Sequence, residues 1–228
     1  IPKGSNLLEI GSGDGRLLSI LEPAYGVGLD ISSAMVELAI REYPRLNFVK
    51  SNIDAYNIKD KFDYIIISNL LEYMPDVYDF FNTLGGKISS GTKILITGIN
   101  PLWGPVMKLA TKLKMRTPVE MRNFVTSKDI ENILNVSGYE VIESGYRVFL
   151  PKKIPFISYF LNKLIPRLPI FRNLCLVQYI IANPRENLAI DRDILASVII
   201  PCHNEEENIR ECINRVPKLG NFTEILVV

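Results

Sequence analysis

Short runs of branched apolar residues alternate with segments of helical character over the first hundred positions, and few architectures accommodate that rhythm. The runs occupy residues 7–10, 27–29, 48–49, 64–67 and 94–96. They are short and almost uniformly apolar, the pattern of strands buried on both faces rather than one. Between them lie segments such as 32–42, which opens on a Ser-Ser cap and places Met35, Leu38 and Ala39 on one expected helical face. Strands that alternate with helices build a parallel sheet covered on both sides, so the expected class is α/β.

Beyond residue 100 the rhythm changes. Residues 101–115 read as an amphipathic helix carrying Trp103, Met107, Leu109 and Leu113, and Thr126/Ser127 cap a helix over 128–137 that Gly138 ends. Residues 139–149 and 174–182 are expected to be the two arms of an antiparallel edge, with the proline-rich stretch 151–171 inserted between them. A charge-dense linker over 185–195 precedes a new strand-helix-strand pattern at 196–200, 204–216 and 223–228. The chain opens on Ile1 rather than Met and stops inside an apolar run. It is therefore expected to be a segment of a longer polypeptide, with domains at 1–184 and 196–228, the second truncated.

Composition removes several classes. With 26 Lys+Arg against 25 Asp+Glu, the net charge of +1 supplies no field to recruit a polyanion, and a nucleic-acid partner is not expected. An apolar fraction of 47% with 22% charged residues is that of an ordered globular chain. Cys175, Cys202 and Cys212 are odd in number and lack C-x-x-C spacing, which argues against a disulfide framework and a metal centre and for a reducing, cytoplasmic compartment. The most apolar long stretch, 154–170, is broken by Pro155, Pro166 and Pro169 and carries Lys163 and Arg167, so it is not expected to span a bilayer.

The strongest chemical signal is Asn6-Leu-Leu-Glu-Ile-Gly-Ser-Gly-Asp-Gly-Arg16, a buried strand running into Gly11, Gly13 and Gly15 and then a helix. Such a turn lets a ligand approach the backbone closely. Asp30 follows at the end of the second strand, where a carboxylate can accept hydrogen bonds from both ribose hydroxyls of a nucleoside. The spacing is G-x-G-x-G rather than the dinucleotide G-x-G-x-x-G, and Glu9 and Asp14 flank it. Those carboxylates repel a pyrophosphate and suit an ammonium or sulfonium. S-adenosylmethionine carries both cations and no phosphate, and is favoured over NAD.

These residues resemble the class I S-adenosylmethionine-dependent methyltransferases over about residues 1–184. Asp30-Ile31-Ser resembles the family's ribose-binding acid and following helix, and Ser51-Asn52-Ile53-Asp54 its adenine loop. Residues 62–76, including Asn69-Leu-Leu-Glu72-Tyr73, resemble the fourth strand and the loop beneath the methionine moiety, and 91–96 the fifth strand. The resemblance implies a Rossmann-like, mostly parallel seven-stranded sheet with an antiparallel edge hairpin and helices on both faces. It implies S-adenosylmethionine as cofactor, S-adenosylhomocysteine as product, and Glu9, Gly11, Ser12, Gly13, Gly15, Asp30, Ile31, Asn52, Ile53, Asp54 and Asn69 as cofactor-binding residues. Asn52 stands where the family often has Asp, and Tyr73 where many members have His; Glu72 and Tyr73 are left as the candidate bases.

The acceptor side is expected in 101–171, where Trp103, Met107, Phe156, Tyr159 and Phe160 interleave with Lys108, Lys112, Lys163 and Arg167. This mixture suits an anionic headgroup or lipid-linked sugar at the inner face of a membrane, or else a helical cap with a solvated basic face. Residues 197–209, Ser-Val-Ile-Ile-Pro201-Cys-His203-Asn204-Glu205-Glu-Glu-Asn-Ile, resemble the opening of a family-2, nucleotide-sugar-binding glycosyltransferase of the GT-A type. That resemblance implies that Pro201, His203, Asn204 and Glu205 border a uracil. The expected whole is a methyltransferase–glycosyltransferase fusion that methylates a small molecule, sugar or lipid-linked glycan. A catalytically silent cofactor-binding module that positions the glycosyltransferase is the alternative, and a dehydrogenase is third.

Overall fold

The apolar runs become strands in the computed structural model, which describes residues 1–114, 125–151, 156–168, 171–185, 195–202, 209–217 and 222–228. They are β1 (Asn6–Ile10), β2 (Tyr25–Asp30), β3 (Asn47–Lys50), β4 (Tyr64–Ser68), β5 (Lys93–Ile99), β6 (Tyr139–Arg147) and β7 (Val177–Pro184). These seven form one sheet in the order β3-β2-β1-β4-β5-β7-β6. The first five are parallel, and β7 runs antiparallel to both β5 and β6. This is the Rossmann-like methyltransferase fold, with its antiparallel pair at one edge.

The helices are α1 (Arg16–Ile20), α2 (Ser33–Glu42), α3 (Val77–Gly85), α4 (Gly104–Lys112), α5 (Ser127–Val136) and α6 (Ile157–Leu164). Alternate residues of the central strands enter two separate cores. Leu8, Ile10, Ile65, Ile67, Ile94 and Ile96 pack with Phe80 and Phe81 of α3 and Ile130 and Leu134 of α5. Leu7 and Ile66 face the other way, against Leu18 of α1, Val36 and Ala39 of α2, and Phe48. Burial on both faces is why runs such as Ile65-Ile66-Ile67 carry no alternation.

Local signals end and start these helices. Ser32 accepts from the Met35 amide at the head of α2, and Asp76 accepts from the Asp79 amide at the head of α3. Thr126 and Asp129 form a reciprocal capping box at α5. The phase of α2 departs from expectation. Val36 and Ala39 are buried and Leu38 half-buried, but Met35 is exposed. The stripe that meets Phe48 and Leu18 starts one residue later than the pattern suggested.

The edge hairpin is shorter than expected at its outer ends. β6 stops at Arg147, and β7 begins at Val177 and lies inside the sheet, between β5 and β6. The expected helix at 101–115 is a 3₁₀ turn over Pro101–Trp103 followed by α4, and α4 buries only Gly104. Its apolar stripe is therefore not a core face. Among its described residues, the insertion after β6 holds α6 and two 3₁₀ turns, Ile165–Arg167 and Arg172–Leu174. No helix among the described residues is long and apolar enough to cross a membrane.

The chain divides into two compact units, Ile1–Arg185 and Glu186–Val228. In the second, β8 (Leu195–Ile200) and β9 (Phe222–Val227) pair in parallel, with α7 (Ile209–Arg215) between them in sequence. His203, Asn204, Glu205 and nearly all of the expected linker lie outside the described residues.

Tyr139 ties the hairpin to the sheet's helical cover. It is wholly buried, its ring meets Phe81 edge-on at 5.7 Å, and its hydroxyl donates to the Phe81 carbonyl at 2.7 Å. Burial also pushes its phenol above the usual tyrosine range. Tyr139→Phe removes that bond from a carbonyl inside α3 and is expected to cost about 0.5–1.5 kcal/mol in denaturant unfolding. An unchanged midpoint would show that the bond contributes nothing.

Candidate active site

The strand order reverses direction beside β1, which has β2 on one side and β4 on the other. The crevice at the carboxyl ends of these strands is where doubly wound sheets bind ligands. The glycine loop, Asp30, Ile31, Asn52–Asp54, Asn69, Glu72 and Tyr73 all follow carboxyl ends of β1 to β4 and so share one edge of the sheet.

The loop after β1 is stapled to the end of β2. Gly11 and Ser12 amides donate to the Leu29 carbonyl at 2.8 and 2.9 Å, and the Gly15 amide donates to the Ser12 carbonyl. The Gly13 amide donates to one oxygen of Asp30 at 2.8 Å, and the Ser32 amide to the other at 2.8 Å. The Arg16 amide donates to Asp14. Five loop amides are thus committed within the protein, and none of these five remains to cradle a phosphate. A carboxylate has about four acceptor positions. Two of Asp30's are taken by backbone, which aims the group and leaves room for a pair of ligand hydroxyls.

Two buried polar atoms lie without partners beside Gly28, which pairs with Glu9 in the β1–β2 register. They are Oε2 of Glu9 and Oγ of Ser12, the latter 2.7 Å from where a Cβ on Gly28 would stand. The Leu18 amide donates to the Glu9 carboxyl. The group is pushed up to about 8, chiefly by burial, with Asp14 and Asp30 adding to the rise and the Leu18 bond opposing it. A cation placed nearby would favour the charged form and draw a proton off.

The glycines of the loop differ in purpose. All three have positive φ, but a Cβ on Gly15 would stand 2.5 Å from the Phe48 ring, whereas one on Gly13 meets nothing within 4 Å. Gly15 serves packing. Gly13 borders open space at the mouth of the crevice. Ile31, next to Asp30, is exposed. Asn52 donates to Asp54 at 3.1 Å and accepts from the Ala55 amide at 3.0 Å, so the pair folds the loop after β3. Ile53 turns its side chain into the core.

After β4, Asn69 adopts φ of 50° with its side chain at the surface and its amide bound to the Thr97 carbonyl at 2.8 Å. Left-handed backbone at a non-glycine residue is uncommon and collects at functional sites. Glu72 is buried, and its Oε1 accepts from the Ile99 amide at 2.9 Å. Tyr73 is partly exposed on the same turn. The two candidate bases are therefore unlike: one is sealed in, one faces out.

Two residues went unnoticed in the sequence. Lys87 donates to the carbonyls of Ile53, Asp54 and Tyr56 at 2.6, 2.8 and 3.0 Å and braces the loop after β3. Gln178 of β7 is buried opposite Gly98, gives its Nε2 to the Val125 carbonyl at 2.8 Å, and leaves Oε1 without a partner, as Glu72 does its Oε2. Neither had a local motif; the register of an antiparallel strand brings Gln178 there.

The methyltransferase-domain family model matches residues 1–144. The chain belongs to the methyltransferase-domain family. It is 31% identical over 167 residues to an uncharacterized protein of Methanocaldococcus jannaschii, covering 68% of this chain and 46% of that one. It is 33% identical over 99 residues to malonyl-[acyl-carrier protein] O-methyltransferase 1 of Ilyobacter polytropus, covering 40% of this chain and 37% of that one. The chain spans less than half the length of either curated relative. Among solved structures, an S-adenosylmethionine dependent methyltransferase from Mesorhizobium loti superimposes with a TM-score of 0.55 at 18% identity, over 79% of this chain and 91% of that one. Magnesium protoporphyrin IX methyltransferase from Synechocystis, with bound SAH, gives 0.53 at 16% identity, over 81% and 75%. At these identities the structures show a shared fold.

Gly15→Ala is expected to lower stability by about 1–3 kcal/mol through its clash with Phe48. Gly13→Ala clashes with nothing but places a β-carbon on left-handed backbone, so it should cost about 1–2 kcal/mol from that strain alone and also lose nucleoside-ligand affinity; calorimetry on both variants checks the division. Glu9 supplies a second test. Its folded value near 8 lies above the ordinary 4.5, so the folded protein holds a proton that the unfolded chain has released. Stability is full below the lower value and is lost as pH rises through the upper one. Glu9→Gln removes that slope, and its melting temperature should gain on wild type between about pH 5 and pH 9.

Proposed function

We propose that residues 1–185 bind S-adenosylmethionine in the crevice after β1 and transfer its methyl group to a small-molecule, sugar or lipid-linked glycan acceptor. The observation that carries this reading is the clamp on Asp30. A carboxylate oriented by two backbone amides, beside a loop with five of its amides already committed, fits a nucleoside with free ribose hydroxyls and no phosphate. The partnerless oxygens of Glu9 and Ser12 fit a ligand that brings donors and positive charge.

When bound, the cofactor supplies a methyl group on a sulfonium that departs as a neutral thioether. The chain's residues divide the work of holding it. Asp30 takes the ribose; exposed Ile31 offers an apolar surface to the purine; Asn52 and Asp54, braced by Lys87, form the loop at the adenine end. Gly11, Gly13 and Asn69 line the methionine end. Orientation of two reactants can supply about 7–11 kcal/mol, so a rigid loop is itself a catalytic device. Glu72 is a positioning residue that fixes the end of β5 through Ile99, while Tyr73, exposed on the same turn, is left as the candidate to take a proton from the acceptor.

The second unit is proposed as the opening of a glycosyltransferase domain. A parallel strand pair normally lies buried on both faces. Here Leu195, Ile199, Phe222 and Leu226 are all exposed, which supports a β-α-β unit that packs against further structure. The sealed position of Glu72 favours one competing reading, a cofactor-binding module without turnover.

Calorimetric titration tests the assignment. Wild type should bind S-adenosylmethionine and S-adenosylhomocysteine saturably and NAD not at all, and Asp30→Ala should abolish the binding while still unfolding cooperatively. Wild-type affinity in Asp30→Ala, or binding of NAD, overturns it. Product carried through purification, read by mass spectrometry, separates turnover from a silent module.

A further inference from the structure

The helices inserted beyond β5 and β6 turn their apolar sides away from the protein. Leu102, Val106, Leu109 and Leu113 recur at i, i+4, i+7 and i+11, one stripe along α4 and its flanking turns, and each is more than half exposed. A helix of this pattern ordinarily buries such a stripe against a core. On α6, Tyr159 and Phe160 are 71% and 63% exposed, and Phe156 just before the helix is 91% exposed. Together with Leu161 they line an open groove of about 750 Å³.

These helices are anchored by polar bonds instead. Asn162 of α6 both accepts from and donates to the Leu150 backbone, at 2.8 and 3.0 Å. Asn100, at the head of the α4 segment, donates to the carbonyls of Asn173 and Cys175 at 2.7 and 2.8 Å, and the Trp103 indole donates to the Leu174 carbonyl at 2.9 Å. The start of the first insertion and the end of the second are therefore stapled side by side. The anchoring atoms hold the backbone and leave the apolar side chains unused.

Charge indicates what covers them. Residues 101–114 contain Lys108, Lys112 and Lys114, residues 156–176 contain Lys163, Arg167 and Arg172, and neither stretch contains Asp or Glu. The whole chain is nearly neutral, so this bias is local. A second copy of the same surface would bring like charges together. We propose that this cap docks on an anionic lipid bilayer, with the leucine stripe and aromatic rings entering the headgroup–acyl boundary and the flanking basic side chains meeting lipid phosphates. Docking does not depend on methyl transfer. If it is combined with that reading, it points to an amphiphilic, lipid-held acceptor, because α4 departs from the same edge of the sheet that carries Asn69 and Tyr73.

The test is sedimentation of the 228-residue chain, without cofactor, with vesicles of phosphatidylcholine alone or mixed with phosphatidylglycerol. The protein should pellet with the anionic vesicles only, and added salt should weaken the association. Lys163→Glu combined with Arg167→Glu should reduce the partition at least about tenfold. Phe160→Ser should reduce it with no change in melting temperature, since its ring contributes little to the core. Equal partition onto neutral vesicles, no partition onto either, or a stable dimer in solution that Phe160→Ser dissolves would each overturn the proposal. None of these outcomes touches the cofactor assignment, which calorimetry reads separately.

Discussion

A parallel sheet buried on both faces can offer chemistry only at its ends, and this constraint orders everything else in the first unit. The strand interiors are Leu, Ile and Val on either side, held between α1 and α2 on one face and α3 and α5 on the other. Polar groups that must meet a ligand are therefore pushed past the strand ends. There the loops are short, and their backbone is tied to neighbouring strands rather than to water. Glu9 of β1 and Gln178 of β7 are polar residues buried inside the sheet, and burial raises the proton affinity of the Glu9 carboxyl.

At the edge, hydrogen bonding decides what kind of ligand is welcome. A glycine loop before a helix is usually a site for anions, because its amides are free. Here Leu29, Asp30, Ser12 and Asp14 take five of them. The glycine loop becomes a floor with carboxylates at its rim. The sign of the site is set by where the loop's donors point, not by the glycines themselves.

Much of this was legible in the chain. Gly11, Gly13, Gly15 and Asp30 announce themselves because strand, turn and helix signals surround them within thirty residues. The sheet class followed from the apolar runs. What could not be read depends on distant backbone. Met35 fails as a core residue because α2 meets β3 one residue out of the anticipated phase. Lys87 looks like any surface lysine until three carbonyls from residues 53–56 converge on it. Glu72 stood in a recognisable motif, yet only the end of β5 reveals that its carboxylate is turned inward to Ile99. Gln178 lies on a strand whose partner is eighty residues away.

The excursion after β6 leaves and rejoins the sheet through a narrow neck. Arg147 pairs with Val177 across the hairpin, the Leu176 amide reaches the Val148 carbonyl at 2.8 Å, and the Asn100 amide takes the Leu176 carbonyl. Everything between Val148 and Leu176 is a closed loop on a fixed base. Doubling the length of such a loop costs only about 0.6 kcal/mol in closure entropy. The segment can therefore be lengthened, trimmed or exchanged without disturbing the sheet's register. In evolutionary terms, this excursion is free to change while the loops at the carboxyl ends of β1 to β4 stay as they are.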